Sequence, residues 1–155
     1  MFKSRKKNNE PDPIFEDFCH LHLRFQYGSQ NRPLQHDEEV NVIVEIVSHI
    51  NARTTLYHVI IRRHDDEDNI IAEFDVKKGL ITNFLSSNVD GVTFYSVMLN
   101  SEMLSKPFKG PSDDWNWKEN LGLPDSISQE YFEIKFVAQS TQQQFLSQIR
   151  RLQEI

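Results

Sequence analysis

The chain is poor in several things, and each shortage narrows what it can be. It holds one cysteine, Cys19, in 155 residues. No disulfide can form within it, so a cytoplasmic or nuclear setting is expected rather than an oxidising one. It holds five glycines, which leaves little for phosphate-cradling loops. No Walker loop, GxGxxG, GxSxG or HExxH spacing occurs, so no catalytic motif is recognisable. Basic residues are outnumbered, 17 against 23, for a formal net charge of -6. A grip on nucleic acid draws on clustered Lys and Arg, so this balance argues against it as the main partner. No run of about 18 apolar residues is present, so no membrane-spanning helix is expected. The opening Met1-Phe2-Lys3-Ser4-Arg5-Lys6-Lys7 has no apolar stretch behind it, so no secretory signal is expected either.

Aromatics, in contrast, are plentiful: 11 Phe, 4 Tyr and 2 Trp. Each buries a large area, so the count favours a packed core. The length suits one domain that buries about two-thirds of the surface its unfolded chain exposes. Residues 1–13, with Lys3, Arg5, Lys6 and Lys7 followed by Pro11 and Pro13, read as a flexible basic arm. Residues 14–155 read as a single β-rich domain with an irregular insert at 101–130.

Strand patterning dominates that domain. Cys19, Leu21, Leu23, Phe25 and Tyr27 alternate with polar residues, the period-two signature of a half-buried strand. Gly28 to Asp37 reads as a polar loop. Glu39 to Ile50 is apolar at both parities, which suggests a central or long, bent strand. Thr54 to Arg63 and Ile70 to Val76 are further strands, joined by the charged tip His64 to Asn69. Leu80 to Leu85 is ambiguous between a strand and a helical turn. Asp90-Gly91 is a hairpin signal before a strand over Val92 to Leu99. Tyr131 to Ala138 is the last strand. Ser140 and Gln143 have capping-box spacing, and Phe145, Ile149 and Leu152 follow at helical intervals, giving an amphipathic closing helix.

The expected class is therefore α+β, mainly antiparallel β, as a bent sheet or partly open barrel capped by one C-terminal amphipathic helix. The final segment, Tyr131 to Phe136 and then Ser140 to Leu152, resembles the last strand and helix of the pleckstrin-homology-like superfold (PH, EVH1 and PTB types). That resemblance implies a helix laid over one open end of a strongly bent sheet. Members of that superfold bind phosphoinositides or proline-rich and other peptides, but fold alone does not settle function. Two departures stand out. Phe145 falls where pleckstrin-homology helices usually carry Trp. The first hairpin loop has only Arg32 as a basic residue and ends His36-Asp37-Glu38-Glu39, which would repel a phosphorylated headgroup.

Candidate functional residues fall into four groups. His20 and His22 project from one strand face, and His58 from a neighbouring strand could complete a zinc site; lining a wet sheet face is the favoured reading, and no metal or cofactor is expected. Asp65, Asp66, Glu67 and Asp68 form an acidic tip that either keeps a hairpin solvated or docks a basic partner. Trp115 and Trp117 are either core plugs of the insert or interface anchors. Lys3, Arg5, Lys6 and Lys7 would give weak, salt-sensitive contact with anionic membrane or nucleic acid. Together these point to a non-enzymatic protein-interaction or adaptor module with protein partners. Two alternatives stay open. One is a small structural or accessory protein, of viral matrix type, that self-assembles and meets membrane or nucleocapsid through its basic arm. The other is a metal-dependent enzyme using His20, His22 and His58.

Overall fold

The computed structural model describes residues 12–29, 32–105 and 129–153. Seven strands run in the order β1 (Phe15–Ser29), β2 (Arg32–Asn51), β3 (Thr54–Arg63), β4 (Ile70–Asp75), β5 (Ile81–Val89), β6 (Val92–Leu99) and β7 (Gln129–Phe136). A 3-10 turn, Ser101–Met103, follows β6, and helix α1 (Gln139–Gln153) closes the described chain. The strands form one antiparallel sheet ordered β4-β3-β2-β1-β7-β6-β5. The sheet is not closed: β4 and β5 are its two edges.

Alternation on β1 sets the geometry. Phe15, Cys19, Leu21, Leu23 and Phe25 are buried on one face, joined across the ladders by Val42, Val44 and Ile46 of β2 and by Phe132 and Ile134 of β7. The sheet is strongly bent around this face. β4 and β7 are separated by four strand spacings, about 19 Å if the sheet were flat. Yet the rings of Phe74 on β4 and Phe132 on β7 meet edge to face with centroids 5.2 Å apart. Helix α1 plugs the core from the side, with Phe145 against Phe15 at 5.4 Å and Phe136 at 5.5 Å. Its buried stripe is Gln142, Phe145, Leu146, Ile149 and Leu152.

Local differences from the sequence reading have physical reasons. The polar stretch Gly28 to Asp37 is mostly paired strand: the ladder runs to Ser29 opposite Arg32. A paired arm of mostly polar sequence carries no apolar alternation, so composition does not separate it from a loop. The long, two-faced strand over Glu39 to Ile50 is borne out within β2, where Ile43 and Glu45 are buried on the face opposite Val42 and Val44. The capping box does not form. The helix starts at Gln139, with the Thr141 hydroxyl donating to the Ala138 carbonyl at 2.8 Å. Gln142 lies on the buried stripe, where its amide donates to the carbonyls of Ser96 at 2.9 Å and Leu85 at 3.3 Å.

Candidate interaction surface

The three histidines do not converge. His20 and His22 lie on the outer face of β1, as their spacing requires. His20 stands edge-on to Phe94 at 5.8 Å. His22 is held between two carboxylates, Nδ1 to Glu133 at 3.0 Å and Nε2 to Asp37 at 2.7 Å, so both ring nitrogens are occupied. His58 sits beside Asp75 at 3.3 Å on β3. It is opposite Val47, whereas His20 is opposite Asn41, which puts them about 20 Å apart along β2. Among the described residues no group of three His, Cys, Asp or Glu side chains is arranged to hold a metal ion.

The His22 clamp belongs to a polar network that ties β2, β1 and β7 together across the outer face. Asp37 accepts from Arg24 at 3.0 Å and from Gln35 at 2.8 Å as well as meeting His22, and Lys135 donates to Glu39 at 2.9 Å. Desolvation opposes ionisation of Asp37, but the hydrogen bonds from Gln35, Arg24 and His22 outweigh it and lower its pKa to about 2. The lone thiol is no nucleophile by environment. Burial, reinforced by the neighbouring Asp17 carboxylate, pushes Cys19 well above the ordinary thiol range.

The acidic tip lies between β3 and β4, where the chain reverses. Arg63 makes two hydrogen bonds of 2.7 Å to Asp65, and Arg62 reaches back to the Glu67 carbonyl at 3.0 Å. Arg62 also holds the buried Glu45 at 2.7 Å. Asp66 and Asp68 remain exposed. Trp115 and Trp117 lie outside the described residues, as do Lys3, Arg5, Lys6 and Lys7.

A further surface was not singled out from sequence: the β5–β6 hairpin. Its two-residue turn has Asp90 at φ 52° and Gly91 at φ 83°, the left-handed pair that a tight type I′ hairpin demands. The stretch that read as ambiguous, Leu80 to Leu85, is largely the start of β5. That strand buries little of either face. Phe84 is 52% exposed, Leu85 41%, Val89 51% and Val92 50%. No residue from Ile81 to Val89 is charged, and none is proline.

The turn fixes which backbone groups look outward. In a two-residue hairpin the flanking residues, Val89 and Val92, exchange hydrogen bonds. Alternation then turns Leu85, Ser87 and Val89 toward β6, and Phe84, Ser86 and Asn88 toward the open side. The Phe84 amide fits this assignment: it donates to the Asn83 side chain at 2.9 Å, not to β6. A register shift between Ile81 and Asn83 marks the beginning of β5, so the regular open edge runs from Phe84 to Val89.

The chain matches no protein family, and no curated protein matches it.

Proposed function

We propose that this chain is a non-enzymatic protein-interaction module of the pleckstrin-homology-like superfold. The strand order β4-β3-β2-β1-β7-β6-β5, with the helix directly after β7, supports the superfold assignment. The observation that carries the functional reading is the β5 edge. An open strand offers a row of backbone donors and acceptors, and exposed apolar side chains beside it offer pockets and ridges for a partner. Strand addition uses both at once: main-chain hydrogen bonds give affinity and alternate side chains give selectivity.

Several features favour binding over chemistry. The thiol is buried and held protonated, and His22 is taken up by carboxylates at both nitrogens. The acidic tip serves in this reading as a secondary contact for a basic partner, with Asp66 and Asp68 as the exposed groups.

The test is affinity capture with mass spectrometry, using the wild-type chain, Ser86→Pro and the double variant Asp66→Lys/Asp68→Lys as baits. The Ser86 amide faces the open side, so proline there removes no bond to β6. A protein partner, foreign or a second copy of this chain, held by the wild type and lost with Ser86→Pro at nearly unchanged melting temperature is the expected result. Foreign proteins captured equally by both chains would contradict the edge as the contact surface. Loss only with the double variant would move the surface to the acidic tip.

A further inference from the structure

We infer that the β5 edge pairs with β5 of a second copy of this chain, antiparallel about a two-fold axis, to give a dimer with one continuous sheet. This rests on the reading of β5 as the contact surface and names its occupant.

Charge is the first argument. A two-fold axis sets an edge against itself, so any charge near the middle of the strand would meet its own like. Cross-strand like charges are destabilising. In a chain that is 26% charged, the residues from Gly79 to Ser101 carry a single charge, Asp90, and it sits at the turn rather than on the strand. An edge built for a foreign strand has no need to be neutral. It gains selectivity and encounter rate from charge. With no charge from Ile81 to Val89, no antiparallel register of this edge on itself sets like charges against each other.

Register is the second argument. Directly opposed residues in an antiparallel pair must both face each other or both face away. Centring the axis on Leu85 satisfies this. It sets Phe84 opposite Ser86 of the second copy and Asn83 opposite Ser87; the Ser86 amide faces the open side, and the Phe84 amide exchanges its 2.9 Å bond to the Asn83 side chain for a carbonyl of the second copy. Leu85 meets its own counterpart, a close apolar pair. Leu85, Val89 and Val92 lie on one face of the hairpin and would form an apolar ridge across the junction.

Lipid and the β4 edge of another copy fit the β5 edge less well than a second β5 does. Lipid would contact the apolar side chains but leave the open backbone groups without partners, which hydrocarbon penalises heavily. Pairing β5 with the β4 edge of another copy would be head to tail, giving a ring or a filament rather than a two-fold dimer. That edge is also occupied: the Ser105 amide donates to the Glu73 carbonyl at 2.9 Å, and Leu104 bridges to Phe74.

The junction is modest in size. With the axis on Leu85 the regular part of β5 pairs from Asn83 to Ser87 on each copy, about 17 Å of strand, which falls below the roughly 1,600 Å² of a standard interface. The expected Kd is about 10 μM. Because each copy carries net charge of -6, added salt should tighten the association rather than weaken it.

The experiment is sedimentation equilibrium or light scattering on the full chain across concentration, with far-UV melts as the folding control. Wild type should reach twice the 18.3 kDa chain mass. Ser86→Pro should weaken association about 100-fold with little change in melting temperature. Leu85→Lys and Leu85→Glu should each be monomeric alone and dimeric when mixed at low salt, because the axis sets the two substituted positions against each other. A wild-type chain that stays monomeric at roughly ten times the expected Kd overturns the proposal. So does a dimer that Ser86→Pro leaves intact, or a mixture of the two Leu85 variants that stays monomeric. Edge-dependent binding of a monomeric wild type to phosphatidylcholine/phosphatidylserine vesicles overturns it in favour of lipid. If the dimer is absent but a foreign protein still depends on Ser86 for capture, the interaction reading survives and only the self-pairing fails.

Discussion

The two edges of this sheet are built on opposite principles. β4 carries Glu73 and Asp75, is bridged by Leu104, and has the Glu73 carbonyl satisfied by the Ser105 amide. Its phenylalanine, Phe74, is fully buried against Phe132. β5 carries no charge, ends the sheet on the other side, and shows a half-exposed phenylalanine, Phe84. Charged side chains and covering segments are the usual means of preventing edge-to-edge association. Among the described residues one edge has both, and the other has neither along its regular part. Neglect of an edge exposes a chain to aggregation, so an edge left bare beside a guarded one reads as a surface kept for use.

The contrast can be broken by paired substitutions. Phe74→Ala should cost about 3–5 kcal/mol in denaturant unfolding, because it empties a buried aromatic site. Phe84→Ala, the same change on the other edge, should stay within about 0.5 kcal/mol while reducing association. Equal costs at the two positions would erase the asymmetry. Next in size is Arg62→Ala, beside the guarded edge. It removes the 2.7 Å ion pair to the buried Glu45 and should cost about 1.5–3 kcal/mol; the double change Arg62→Leu/Glu45→Leu should recover much of the loss. On the β5 side, Gln142→Ala removes the donor shared by the Ser96 and Leu85 carbonyls, for a cost of about 1–3 kcal/mol. Helix melting and β5 exposure should then respond together in hydrogen exchange.

The smallest effect lies between the edges, in the outer-face network. The Asp37 carboxyl has a folded pKa of about 2 against an ordinary value of 3.8. A depressed carboxylate stabilises the fold above its unfolded pKa, and that contribution is lost as pH falls from about 4 toward 2. Asp37 is partly exposed, so solvent screening keeps the gain below about 1 kcal/mol. The stability gap between wild type and Asp37→Asn should be present at pH 5 and close by pH 2, in melts read at constant ionic strength.

Much of this architecture is written in alternation. β3 and β6 match their expected spans at Thr54–Arg63 and Val92–Leu99, because both are rich in β-branched and aromatic residues and begin just after turn signals. The closing helix follows from Phe145, Ile149 and Leu152, although its first turn begins earlier than Ser140 suggests. β5 was not legible by the same means. A strand that buries neither face leaves no period-two signal, and Thr82, Asn83, Ser86, Ser87 and Asn88 look like loop. The signal that would have found it is indirect: the Asp90-Gly91 turn before a clear strand requires a strand on its other side. The freedom from charge between Gly79 and Ser101 then marks that strand as unusual. Histidine spacing on β1 correctly placed His20 and His22 on one face, but the carboxylates that meet His22 come from β2 and β7. Such pairings depend on ladder register, which spacing along a single strand does not report.

The most direct test of the edge asymmetry is amide hydrogen exchange at Ser86 and Asn88, followed at low and high protein concentration. Both amides should exchange quickly in dilute solution and slow as concentration rises, while the covered amide of Ser105 stays slow throughout. Exchange at Ser86 and Asn88 that is slow even in dilute monomer, or that never responds to concentration, would mean that β5 is not the open, self-pairing edge described.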